Sequence, residues 1–111
     1  MLVYKILLPA EWAGFETVGS FTGSVLDRES GFIHLSTRAQ APATARRFFA
    51  TAGPLVVLAV DGDAIASELR WEPASDGEPF PHLYAAMPLA AVRSVHRVAD
   101  ASAVMTLTGD G

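Results

Sequence analysis

The chain has 111 residues, half of them hydrophobic and 18% charged, a net charge of −4 and no cysteine. That balance predicts one folded domain over residues 1–111, with its core in about 2–98 and a tail over 99–111, and it excludes a disordered chain. The absence of cysteine excludes a disulfide framework, a thiolate zinc site and a cysteine nucleophile, and the acidic balance gives no support for nonspecific polyanion binding, while leaving a local basic pocket and a nucleic-acid partner open.

The first nine residues lack a basic leader and a small-residue cleavage site. No apolar run approaches the ~20 residues of a membrane span. The expectation is a cytoplasmic protein with no membrane partner. Residues 2–8 read as a central strand broken by Tyr4 and Lys5. Pro9 suits the first turn of a helix that carries Trp12 and Phe15 on one face and ends at Gly19. Residues 20–31 read as an extended, loop-rich approach with a polar turn at 27–31. A second helix starts at Pro42, with Ala45, Phe48, Phe49 and Ala52 as its apolar face and Arg46 and Arg47 on its flank, and Gly53-Pro54 stops it. The unbroken apolar run 55–60 predicts a strand buried on both faces. A single helical turn is expected at 64–67 and a short strand at 69–72. Residues 73–79 form the most loop-like stretch, long enough for a flap. A last strand is expected over 91–98. The irregular order of strands and helices predicts an α+β fold: a curved, mixed or antiparallel sheet with the Pro42 helix packed on one side.

Two histidines interrupt apolar strands. His34 stands in Gly31-Phe32-Ile33-His34-Leu35-Ser36, and His82 in Phe80-Pro81-His82-Leu83-Tyr84. An imidazole in an apolar run needs either a hydrogen-bond partner or a place in a cleft. Two such settings, far apart in the chain, point to one site built from two strands. The alternative for each is a core histidine satisfied by a backbone carbonyl. Trp71 and Tyr84 alternate between ring faces for a ligand and core packing with a polar tip at the rim. Glu72 alternates between a site residue and an ion pair with Arg70. Arg46, Arg47 and Arg70 could meet phosphate oxygens, although helix arginines are most often solvated.

These motifs, together with Tyr4-Lys5-Ile6, Glu11-Trp12, Phe21, Gly23-Ser24, Gln40 and Leu69-Arg70-Trp71-Glu72, resemble the bacterial and plant family called domain of unknown function 952. The resemblance spans residues 4–98. That family is similar in turn to the two-histidine branch of the ADP-ribosyltransferase superfamily. The resemblance implies a split, curved β core with NAD bound between its halves. It implies His34 and His82 as catalytic residues, and Ser36, Arg70, Trp71, Glu72 and Tyr84 as ligand-binding ones, with Trp71 and Tyr84 stacking the nicotinamide. Glu72 precedes the second histidine, so the usual late catalytic glutamate is not assigned to it. The implied partner is a small molecule or nucleotide, and the implied activity a transferase or glycohydrolase. A noncatalytic ligand-binding module is the alternative. A metal site of His34, His82 and Glu72 is a further rival, but it lacks any local ligand spacing, so no metal is expected. No Gly-x-Gly-x-x-Gly loop or Gly-x-Ser-x-Gly elbow is present, against a Rossmann site and a serine hydrolase.

Overall fold

The computed structural model describes residues 1–104. Strand β1 (Leu2–Leu7) leads into helix α1 (Pro9–Val18), strand β2 (Ser20–Phe21), helix α2 (Val25–Ser30) and strand β3 (Ile33–His34). Helix α3 (Ala41–Phe48), strand β4 (Leu55–Asp61), a 3-10 turn (Ala66–Glu68) and strands β5 (Leu69–Pro73), β6 (Pro79–Leu83), β7 (Met87–Pro88) and β8 (Val92–Val98) follow. The strands form three antiparallel sheets, ordered β1-β4-β8, β3-β6-β5 and β2-β7. The fold is therefore α+β, as expected, with antiparallel pairing throughout the described strands.

The centre of the molecule is β4. Its residues Leu55–Val60 are buried on both faces, and a strand's period of two divides them between two cores. Val56, Leu58 and Val60 join Val3, Leu7, Trp12 and Phe15 on the α1 side. Leu55 and Val57 join Ile6, Ala41, Ala45, Ala101 and Val104 on the α3 side. Ala101 and Val104 fall in the expected tail, so the ordered core runs past residue 98; residues 105–111 of that tail lie outside the described residues. Strand β1 borders its sheet rather than lying at its centre. Its outer edge is met by Ser36, through Tyr4 N–H to Ser36 O at 2.7 Å and Ser36 N–H to Tyr4 O at 2.9 Å. That bridge ties the chain leaving β3 to the sheet carrying β1.

A further expectation is corrected. Residues 25–30 form α2, not an extended approach. Ser24 and Asp27 cap it reciprocally: Asp27 N–H donates to Ser24 Oγ at 3.2 Å and Ser24 N–H to Asp27 Oδ2 at 2.9 Å. The loop-like stretch expected at 73–79 closes a hairpin. Pro73 pairs with Pro79 at the end of the β5–β6 hairpin, and Ala74 N–H closes the connection on Glu78 O at 2.9 Å. Gln40 Nε2 then donates to Glu78 Oε1 and Pro79 O, fastening the hairpin to the start of α3.

Gly23 is required where it stands. Its φ is +116°, and a Cβ there would lie 2.8 Å from Asp27 Cβ. Gly23→Ala is expected to cost ~1–3 kcal/mol, from backbone strain and displacement of Asp27. A urea midpoint equal to that of the parent would contradict this.

Candidate functional site

The register of β3 with β6 sets His34 directly across from His82. Residues opposite one another point to the same face, and the two imidazole centroids are 5.7 Å apart at 66°. Phe32 packs against both: its ring stacks on His82 at 4.0 Å and 16°, and meets His34 at 4.6 Å. The expected meeting of the two histidine strands is therefore present.

Each ring is held from behind by a carboxylate. His34 Nδ1 lies 2.7 Å from Asp27 Oδ1, and His82 Nδ1 lies 2.7 Å from Glu72 Oε1. Asp27 is buried at the head of α2. Burial alone would raise its pKa, but the hydrogen bond from His34, the charge of Lys5 and the backbone N–H groups of Ser24 and His34 outweigh it and hold the carboxyl well below the usual range. Lys5 Nζ donates to both Asp27 oxygens, at 3.2 and 2.9 Å, and to His34 O at 3.0 Å. Burial pulls the Lys5 ammonium below its ordinary value, against the opposing pull of Asp27. Glu72 is held low chiefly by the Tyr84 hydroxyl, which donates to it at 2.6 Å, and then by His82. The same bond raises the Tyr84 pKa.

An ionised carboxylate can only accept, so Nδ1 of each neutral imidazole carries the proton. The lone pair is thereby fixed on Nε2 of both rings, as a carboxylate behind a histidine does elsewhere. Among the described residues neither Nε2 has a protein partner. Both rings line a cleft of about 670 Å³. Its polar lining includes Lys5, Asp27, His34, Ser36, Gln40, Thr44 and His82. The rest of the lining comes from β1, α2, α3 and the β5–β6 hairpin and is largely apolar.

Asp27 makes the site sensitive to acid. Its folded pKa lies below the unfolded value of about 3.9. The stabilisation it brings is complete above pH ~4 and is lost as pH falls through the unfolded value toward the folded one. Urea midpoints are expected to drop steeply below pH ~4, and Asp27→Asn to flatten that slope. An equal slope in the variant would contradict this.

Of the expected ligand-binding residues, only Ser36 lines the cleft with the histidines. Its hydroxyl pairs with Thr44 Oγ1 at 2.9 Å. Glu72 and Tyr84 stand behind His82. Arg70 pairs with His82 across β5–β6 and shares its face of the sheet, but it lies 5.3 Å over the Tyr84 ring and does not line the cleft. Trp71 is corrected: it pairs with Pro81, one residue out of step with His82, so it points to the opposite face of the sheet and is 44% exposed. Tyr84 likewise spends its hydroxyl on Glu72, and it borders a second, smaller cavity rather than the cleft. Among the described residues no three carboxylate or imidazole groups converge as a metal-ligand set, and Glu72 binds the back of His82 instead. Asp27, Lys5 and Phe32 were not singled out by the sequence reading as site residues. Only Asp27 carries a local signal, the Ser24-x-x-Asp27 cap.

Similarity to solved structures covers almost the entire domain. The crystal structure of protein CC0527 from Caulobacter crescentus is 40% identical, with a TM-score of 0.84 over 87% of this chain and 85% of that one. Its solution structure gives 0.78 over 88% and 84%, at the same identity. No protein with a curated description matches. A family model covers residues 6–95, which hold both histidine strands and all of β4. The chain belongs to the family described as "Protein of unknown function (DUF952)".

Proposed function

We propose that the cleft is an enzyme site for group transfer from, or hydrolysis of, a nucleotide, with NAD as the substrate. The observation that carries this reading is the pair of imidazoles set side by side, each pinned at Nδ1 by a carboxylate, each with an unpartnered Nε2, and both lining one hollow. A fully buried structural histidine needs a partner at both ring nitrogens; here two adjacent rings keep their proton-accepting atoms unpaired. The volume lies within the ~300–1,000 Å³ of small-molecule sites. The link to NAD comes from the likeness of the histidine motifs to the two-histidine ADP-ribosyltransferases.

The residues present fit such a ligand. Breaking the nicotinamide–ribose bond develops positive charge on the sugar, and nicotinamide departs with the bonding electrons. Neutral imidazoles orient ribose hydroxyls without adding repulsive charge. The oxygen of water or of an acceptor hydroxyl forms the new bond to the sugar, and its proton passes to Nε2 of one histidine. The ionised Asp27 and Glu72 stabilise the imidazolium that results. The hydroxyls of Ser36 and Thr44 line the same cleft.

Release of nicotinamide from NAD, followed by chromatography, tests this. The parent protein is expected to release it catalytically. Absence of release together with unchanged histidine ring resonances at millimolar NAD would overturn the reading. Ring shifts without release would make the cleft a noncatalytic binding site.

A further inference from the structure

The mouth of the cleft has a chemistry of its own. Four large apolar side chains that line it are left in solvent: Leu8 at 39% exposure, Val25 at 70%, Leu26 at 44% and Phe48 at 53%. They come from three separate places: the β1–α1 junction, α2 and α3. Exposed apolar residues scattered singly carry no meaning, but several gathered round one concave site mark a binding surface. Arg47 lies beside them, with its guanidinium carbon 5.1 Å over the Phe48 ring. Among the described residues it has no carboxylate partner, although the protein is acidic. The hairpin tip, which Gln40 fastens to the start of α3, adds Asp76 and Glu78 to the same lining.

We infer that this mouth is a subsite for the adenylate end of a nucleotide, with the purine between Phe48 and the aliphatic side chains of α2, and the phosphate on Arg47. A purine offers a flat apolar face to an aromatic ring and to aliphatic groups. A phosphate is met by a guanidinium in fork geometry. The acidic hairpin tip meets the start of α3 and repels the phosphate, which leaves Arg47, at the far end of that helix, as its place. The inference rests on the reading of the cleft as a nucleotide site, and it adds which end of the ligand lies where. The nicotinamide riboside end falls to His34 and His82, and the adenylate end to α3 and α2.

Two half-ligands separate the two claims. AMP is titrated into the full chain and followed by amide and side-chain NMR, and nicotinamide mononucleotide is titrated separately. AMP is expected to shift Arg47, Phe48, Val25 and Leu26, and its affinity is expected to fall at least tenfold in Arg47→Glu and in Phe48→Ser. Arg47→Lys is expected to recover part of the loss. Each altered side chain is exposed, so the fold stands, and the remaining amide spectrum verifies it. AMP shifts that are absent, or that are unchanged in both variants, would overturn the subsite. If AMP fails while nicotinamide mononucleotide still moves the His34 and His82 rings, only this inference falls. If AMP binds as described and nicotinamide mononucleotide moves neither ring, the subsite stands and the proposed reaction falls.

Discussion

Asp27→Ala is expected to remove ~3–5 kcal/mol of stability, a large part of the ~5–15 kcal/mol that holds a domain of this kind together. The change leaves the Lys5 ammonium buried with no counter-charge. It also removes the acceptor of the Ser24 N–H, the reciprocal half of the α2 capping box, and the acceptor of His34 Nδ1 and of the His34 backbone N–H, 3.0 Å from Asp27 Oδ1. The larger share of the cost is the abandoned charge, because a buried ion without its partner loses solvation and gains nothing in return. Replacing both members, as Lys5→Met with Asp27→Leu, is therefore expected to recover part of the loss. Urea unfolding measures each variant. A cost below ~1 kcal/mol for Asp27→Ala would show that the ion pair does not organise the sheet junction.

His34→Asn and His82→Asn are expected to lower nicotinamide release about 10²–10⁴-fold while leaving the fold in place. Asparagine sets an amide N–H near the position of Nδ1, so the hydrogen bond to Asp27 or Glu72 survives and only the Nε2 edge is lost. That separates chemistry from stability, which alanine does not. His34→Ala would leave Asp27 short of a donor in a buried place. A drop in melting temperature with unchanged release per folded molecule would make the two rings structural. Trp71 fluorescence is not a suitable reporter, since its ring faces away from the cleft.

The elements legible in the sequence are those with local causes. The uninterrupted valine-rich run of β4 has no polar position to place in water, and it is buried on both faces. Pro9 and Pro42 lie within the first turns of α1 and α3. The two histidine strands were found because each places a polar ring where its neighbours are apolar. What stayed hidden depends on residues brought together from afar. Lys5 looks like a polar interruption in a strand until Asp27, 22 residues later, is folded onto it. α2 is only six residues long, and its Val25 and Leu26 face the cleft mouth rather than the core, so it shows no helical apolar face. Trp71 and Glu72 are neighbours in sequence but lie on opposite faces of β5. Which face is the cleft's depends on the β5–β6 register, and that is set across the hairpin.

The central claim is that two imidazoles, each with its proton fixed on Nδ1, present both Nε2 atoms to one ligand. Nitrogen-15 NMR of the histidine rings, recorded across pH with and without NAD, tests it most directly. Neutral His34 and His82 are predicted to show the Nδ1–H tautomer, and both Nε2 resonances to move together along one NAD titration. An Nε2–H tautomer at either ring, or a ligand response confined to one of them, would contradict the account.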